Sequence, residues 1–79
     1  MKIHLSQLQE GQEAIINDFD IDKVPLKLLE MGCLPGNGVK LIQRAPMGDP
    51  LYLIVNDSHL AIRLETAQII EVTISNPTL

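Results

Sequence analysis

The stretch RAPMGDPLYLIV, residues 44–55, passes from turn residues to strand residues within twelve positions. Pro46 has no backbone N–H to donate, so it ends the strand before it. Gly48 tolerates a positive φ, and the Asp49 carboxylate is expected to accept a hydrogen bond from the backbone of its own turn. Pro50 keeps the residue before it out of the helical region, so the chain restarts extended. The stretch predicts a rigid turn between two antiparallel strands.

Strand patterns lie on both sides of this turn. EAIINDFDI, VKLIQRA and HLAIR have the alternation of half-buried strands, IIEVTI closes the chain as a last strand, and LYLIVN is apolar enough to be buried on much of both faces. In VKLIQRA, alternation places Val39, Leu41 and Gln43 on one side of the strand. The short connections predict antiparallel pairing, because a parallel pair needs a long crossover.

One helix interrupts the strands. DKVPLKLLEMG favours a helix with Asp22 as N-cap, Pro25 in the first turn and Gly32 as the left-handed residue after its end. The Pro35–Gly36 pair that follows predicts a type II turn with a positive φ at glycine. Near the start, LSQLQEGQ predicts a single helical turn with Ser6 as its cap and two inward leucines, Leu5 and Leu8.

The order is therefore a strand, a helix and four more strands. A sheet this small is expected to close on itself to protect its edges. The predicted fold is mainly β, a small SH3-like antiparallel barrel with one α-helix inserted after the first strand. An open barrel of the oligonucleotide-binding kind is the nearest rival. Residues 1–75 form one domain in this prediction, and residues 76–79 form a short tail.

Composition argues against several classes of function and location. The 79 residues carry a formal charge of −4, which disfavours nucleic-acid binding and speaks against an RNA-binding barrel. A lone cysteine allows no internal disulfide. The N-terminus lacks the apolar segment of a signal peptide, and no apolar run is long enough to span a bilayer. We therefore expect a cytoplasmic protein.

Three motifs in order identify a family resemblance: KLLEMGCLPG, APMGDPLYLIV and LAIRLETAQIIEV. Together they resemble the successive signatures of the FeoA family, small cytosolic components of bacterial ferrous iron uptake. The likeness runs from about Gly11 to Val72. It rests on glycines and prolines at six positions: Gly32, Pro35, Gly36, Pro46, Gly48 and Pro50. Cys33 stands where the family usually has an aliphatic residue or Met, and we interpret it as a small buried apolar side chain.

The resemblance implies an SH3-like barrel whose partner is FeoB, the membrane transporter with a cytosolic GTPase domain. The implied role is a non-enzymatic accessory or regulatory subunit of ferrous iron uptake. The alternative is an SH3-like interaction module related to the C-terminal domain of metal-dependent transcriptional regulators. In those regulators the module follows a DNA-binding and dimerisation region. Here the likeness begins near Gly11, which leaves no room for such a region, so we expect a stand-alone product.

The residues themselves indicate no catalytic, cofactor or metal site. Asp18, Asp20 and Asp22 have the first spacings of a calcium loop, but Lys23 and Leu29 stand where that loop needs Gly and Glu. The side chains best suited to bind a transition metal are His4, Cys33 and His59. They lie on separate elements, and no two of them have the spacing that places two ligands on one site. PGNGVK lacks the remainder of a phosphate-binding loop. We expect no enzymatic activity and no cofactor.

Binding to a partner protein is the function class that remains. The candidate partner-binding residues lie in two segments. Leu26, Leu29 and Met31 belong to the predicted helix, where an aliphatic cleft would suit a partner better than a proline-helix groove. Met47 and Asp49 belong to the Pro46–Pro50 turn, whose rigidity would lower the entropy cost of association. Core packing is the competing interpretation for Leu29 and Met31. Weak homo-oligomerisation stays open.

Overall fold

The computed structural model describes residues 1–74, and in that range the chain forms six strands, two short α-helices and two 3₁₀ turns. The strands are β1 (Lys2–His4), β2 (Glu13–Ile16), β3 (Gly38–Arg44), β4 (Leu51–Val55), β5 (Ser58–Ile62) and β6 (Glu71–Ile74). The helices are α1 (Leu26–Glu30) and α2 (Leu64–Ala67), and the 3₁₀ turns are Leu5–Gln7 and Ile21–Lys23. The tail predicted at residues 76–79, and the boundary at residue 75, lie outside the described residues.

The strands pair in one antiparallel sheet with the order β1-β6-β2-β3-β4-β5. The prediction of a mainly β antiparallel fold is confirmed. The helix predicted after the first strand follows the second, β2, and a second short helix, α2, follows β5. In residues 1–74 the end strands β1 and β5 do not pair with each other, so both remain edge strands, contrary to the expectation that closure protects the edges. The prediction of five strands was wrong, because β1 is a sixth strand that pairs with β6 through Ile3 and Val72. This places the last strand, β6, between β1 and β2.

Strand alternation builds an aliphatic core on one face of the curved sheet. Its fully buried large side chains come from five strands and their connections, and include Leu5, Leu8, Ile16, Leu41, Leu51, Leu53, Val55, Ile62, Ile70 and Val72. The expectation that β4 is buried on much of both faces was wrong. Tyr52 is 42% exposed and Ile54 is only partly buried, so β4 has one inner and one outer face.

A bulge in β3 changes which side chains point inward. Leu41 lies opposite Leu53, but the next partner of β4 is Gln43, opposite Tyr52. The extra residue turns Gln43 outward, so its predicted place beside Val39 and Leu41 was wrong. Arg44 turns inward instead.

Arg44 connects the end of β3 to the N-terminal 3₁₀ turn. Its guanidinium Nη2 donates to the carbonyl oxygens of Ser6 and Leu8, both at 2.6 Å. Ser6 was predicted to cap this turn, but it lies inside it, and the Gln7 side chain instead accepts the His4 backbone N–H at 2.9 Å. A half-buried cation thus satisfies two backbone carbonyls at the end of a turn.

The connection from β2 to α1 also differs from the prediction. β2 ends at Ile16, and a separate 3₁₀ turn follows, whose cap is Asp20: its carboxylate accepts the Asp22 backbone N–H at 3.1 Å. Asp22 therefore does not cap the helix, which begins after Pro25. Asp22, which the sequence assigns to the cap of the helix, lies instead inside the separate turn Ile21–Lys23.

Candidate docking surfaces

The helix surface consists of Leu26, Leu29 and Met31. Leu26 is 69% exposed at the first position of α1, whereas Leu29 and Met31 are partly buried against the core. Val24, just before the helix, is buried and fixes the direction of entry. The helix surface therefore offers one exposed leucine, Leu26, while Leu29 and Met31 are partly buried against the core.

Glycines and hydrogen bonds hold the end of α1 in place. Gly32 follows the helix with φ +102°, and a β-carbon there would lie 2.9 Å from Cβ of Asn56. The Asn37 side-chain amide donates to the Gly32 carbonyl at 2.7 Å. The turn Leu34–Pro35–Gly36–Asn37 has φ +94° at Gly36, and its closing Asn37 N–H donates to the Leu34 carbonyl at 3.1 Å. These are the features of the predicted type II turn.

The hairpin loop, Ala45–Pro50, joins β3 to β4. Ala45 N–H donates to the Pro50 carbonyl at 3.1 Å, and Gly48 N–H donates to the Ala45 carbonyl at 2.7 Å. Gly48 has φ +85°, and the peptide before Pro50 is cis. Met47, between Pro46 and Gly48, is 92% exposed. The loop thus presents one flexible apolar side chain on a closed backbone.

Asp49 has a role that its neighbours in sequence do not indicate. We expected its carboxylate to bond within its own turn, but Oδ1 accepts the backbone N–H of Leu64 at 2.9 Å. Leu64 is the first residue of α2, so Asp49 supplies a cap to a helix fifteen residues further along the chain. This contact ties the hairpin loop to α2.

The structure does not bring the two predicted segments together. Gly32, after α1, meets Asn56 just beyond the end of β4, whereas the hairpin loop ends just before Leu51, where β4 begins. Five strand residues span about 17 Å. The helix surface and the hairpin loop are therefore two candidate docking surfaces at opposite ends of β4.

A third surface escaped the sequence interpretation. The outer face of β3, β4 and β5 has a shallow groove of about 270 Å³ lined by Ile42, Tyr52, Leu53, His59, Leu60 and Ala61. Ile42 and Tyr52 are 40% and 42% exposed. The sequence LYLIVN could have indicated this surface. Side chains alternate along a strand, so Tyr52 faces away from the buried Leu51 and Leu53.

The titratable side chains are dispersed. Within residues 1–74, no three His, Cys, Asp or Glu side chains converge closely enough to hold a metal ion. Cys33 is fully buried, and this burial raises the pKa of its thiol from 9.0 to about 11. At neutral pH the thiol is therefore protonated and a poor nucleophile. Nor does any helix in the described range have the length and apolar character needed to cross a bilayer.

Over nearly its full length the chain is similar to a curated fusion protein. That protein, the "Fe(2+) transport protein A/Fe(2+) transporter FeoB fusion protein" of Porphyromonas gingivalis (strain ATCC BAA-308 / W83), is 37% identical over 79 residues. The match covers 96% of this chain and 9% of the relative. The chain thus spans a small part of that relative's length.

Solved structures give the same fold. The solution structure of the FeoA protein from Chlorobium tepidum matches with a TM-score of 0.86 and 28% identity, covering 98% of this chain and 74% of that one. FeoA of Stenotrophomonas maltophilia, solved with zinc and described as an SH3 domain protein, matches with a TM-score of 0.71 and 24% identity, covering 92% and 89%. The predicted SH3-like fold is confirmed.

A further solved structure shares this fold. The crystal structure of T. acidophilum IdeR matches with a TM-score of 0.79 at 21% identity, covering 94% of this chain and 34% of that one. At this identity the likeness concerns the fold alone. The family is decided by the FeoA domain model, which matches residues 3–74. That model covers almost the whole of this chain, and the chain has the SH3-like sheet and the turns described above. This chain therefore belongs to the FeoA family.

Proposed function

We propose that this chain is a non-enzymatic accessory or regulatory protein of ferrous iron uptake that docks on the cytoplasmic side of the FeoB transporter. One observation carries the proposal: a 37% identical relative is named as a fusion of Fe(2+) transport protein A with the transporter FeoB. Fusion keeps two modules at a high effective concentration. Where the modules are separate chains, a non-covalent interface has to bring them together.

The exposed apolar side chains support a binding role. Leu26 and Met47 are 69% and 92% exposed, although each belongs to a segment whose backbone is held by hydrogen bonds. Burying one such side chain contributes about 1.5–3 kcal/mol. A preorganised backbone adds little ordering cost on binding. The helix surface and the hairpin loop are therefore the two sites at which we propose contact with FeoB.

The direct test is complex formation with full-length FeoB in detergent or nanodiscs. The tagged chain is incubated with FeoB without nucleotide, with GDP and with a non-hydrolysable GTP analogue, and binding is measured by pull-down and biolayer interferometry. We expect a saturable complex in at least one nucleotide state. Absence of a complex in all three states would contradict the proposal. GTP hydrolysis by FeoB, measured with and without the chain, then separates regulation from assembly.

Two variants distinguish the surfaces. Leu26→Glu alters the helix surface and Met47→Asp alters the hairpin loop, while Ile69→Glu, at a 42% exposed position outside both, serves as the matched control. Loss of one buried apolar contact is expected to weaken binding about 10- to 100-fold. The control should bind FeoB like the parent chain. If both surface variants also bind like the parent, neither surface contacts FeoB.

A further inference from the structure

The free edge of β5 has unpaired backbone groups at two positions. The two-residue turn Asn56–Asp57 has φ values of 51° and 65°, as in a type I′ hairpin, so Val55 and Ser58 form a hydrogen-bonded pair. Hydrogen-bonded pairs alternate along an antiparallel ladder, which turns the N–H and C=O groups of His59 and Ala61 away from β4. In residues 1–74 these groups have no other backbone partner.

The edge is also free of the usual protection against pairing. Edge strands commonly carry charged residues or proline, which discourage another strand from adding to the sheet. The other edge strand, β1, carries the exposed Lys2. In contrast, β5 has the sequence SHLAI, without Lys, Arg, Asp, Glu or Pro, and it borders the apolar groove formed with Ile42 and Tyr52.

We propose that a second copy of this chain pairs with β5 through a two-fold axis at Leu60. In an antiparallel pair with this axis, His59 lies opposite Ala61 of the second copy and Ala61 lies opposite His59 of the second copy. All four free groups on each β5 then take part, in four intermolecular hydrogen bonds. Pairing in any register shifted by an odd number of residues would leave these groups without facing partners.

Charge and apolar surface favour the same arrangement. The exposed residues Asp57 and Arg63 flank β5 symmetrically about Leu60, so in this register each Asp57 falls opposite the oppositely charged Arg63 of the other copy. The two outer grooves, each bordered by Tyr52 and Ala61, become continuous across the axis. The same patch meets itself, as an interface with two-fold symmetry requires.

The surface available predicts a weak dimer. A standard stable interface takes about 800 Å² from each partner, which is about a sixth of the 4950 Å² surface of this chain. A five-residue edge strand and one shallow groove offer less than that. The dimer is therefore expected to form at high protein concentration and to dissociate on dilution.

Charge reversal across the axis tests the register. His59→Lys with Ala61→Lys places lysine opposite lysine twice, whereas His59→Glu with Ala61→Lys places glutamate opposite lysine twice. Both positions are exposed, so each double variant should fold, which thermal melting checks. Sedimentation velocity from 10 µM to 1 mM should show the parent and the Glu/Lys variant moving from 8.7 kDa towards twice that mass. The Lys/Lys variant should stay monomeric, with dimerisation weakened at least tenfold.

Amide exchange gives a second readout of the same strand. With rising concentration, the amides of His59 and Ala61 should become protected, while the Leu60 amide, already bonded to β4, should not change. A parent chain that stays monomeric at 1 mM would overturn the proposal. Equal association of the Lys/Lys and Glu/Lys variants would overturn it as well, because pairing would then lie elsewhere on the molecule.

Discussion

Replacing Gly32 by alanine tests the contact that holds α1 against the hairpin of β4 and β5. Two costs add at this position. An L-residue in the left-handed region costs about 1–2 kcal/mol, and Gly32 has φ +102°. The new β-carbon would also lie 2.9 Å from Cβ of Asn56, and relieving such overpacking costs about 1–3 kcal/mol. We expect the free energy of unfolding to fall by about 2–5 kcal/mol.

Gly36→Ala provides the matched control. Gly36 has a similar φ of +94°, but nothing lies within 4 Å of the position of its added β-carbon. This variant should therefore lose only the backbone term, about 1–2 kcal/mol. Urea denaturation of the parent chain and both variants measures the difference. In a domain of this size each kcal/mol lowers Tm by about 4–8 °C, so thermal melting resolves it too.

Asn56→Gly identifies the partner in the clash. Asn56 has φ 51°, a conformation that glycine adopts readily, so the single change should be tolerated. Combined with Gly32→Ala, it removes the opposing Cβ and should restore about 1–3 kcal/mol relative to additivity. The reasoning is refuted if Gly32→Ala is no more destabilising than Gly36→Ala, or if Asn56→Gly gives no rescue.

Three further predictions concern single side chains. Arg44→Met should lower the free energy of unfolding in urea by about 2–4 kcal/mol, because two carbonyls lose a charged donor, whereas the exposed Arg63→Met should change it by less than about 0.5 kcal/mol. Asp49→Ala should cost about 1 kcal/mol through loss of the cap on α2, and Asp49→Asn should keep most of it; equal losses would exclude a capping role. Because burial raises the pKa of Cys33 from 9.0 to about 11, the unfolded thiol ionises first, so stability should fall by about 2 kcal/mol as pH rises from 9 to 11. Cys33→Ala should lack this share of the alkaline decline, and parallel pH curves for the two proteins would contradict the assignment.

Features encoded by neighbouring residues could be predicted from sequence. Pro35 and Gly36 are the two central residues of a turn that their types specify. Gly32 ends α1 because a positive φ is needed there. The inward positions of Leu5 and Leu8 followed from their spacing, and both are fully buried. Each of these inferences depends on residues within one turn of each other.

Features that depend on distant residues could not be predicted in the same way. β1 has only three residues and is stabilised by β6, whose pairing residue Val72 lies 69 positions from Ile3. The Asp49 carboxylate finds its donor at Leu64, and Arg44 finds its acceptors near the N-terminus. The bulge in β3 has no glycine to announce it, although it reverses the direction of Arg44. Local patterns contain no information on such partners.

For the candidate docking residues, too, local features could be predicted and features that depend on distant residues could not. Helical periodicity placed Leu29 and Met31 near the core, and both are partly buried there. The helix surface and the hairpin loop lie at opposite ends of β4 because Gly32 meets Asn56, a contact between distant residues that no local motif encodes. The Ile42–Tyr52 groove likewise needs two strands to be aligned before it exists.

The placement of β6 between β1 and β2 has a consequence for biosynthesis. β6 follows every other described strand along the chain, yet it lies second in the sheet order, between the first two strands, β1 and β2. A ribosome still holding residues 71–74 in its exit tunnel carries a chain whose first strand has no neighbour. β1 can therefore join the sheet only once β6 is available, whereas the pairings among β2, β3, β4 and β5 do not require β6.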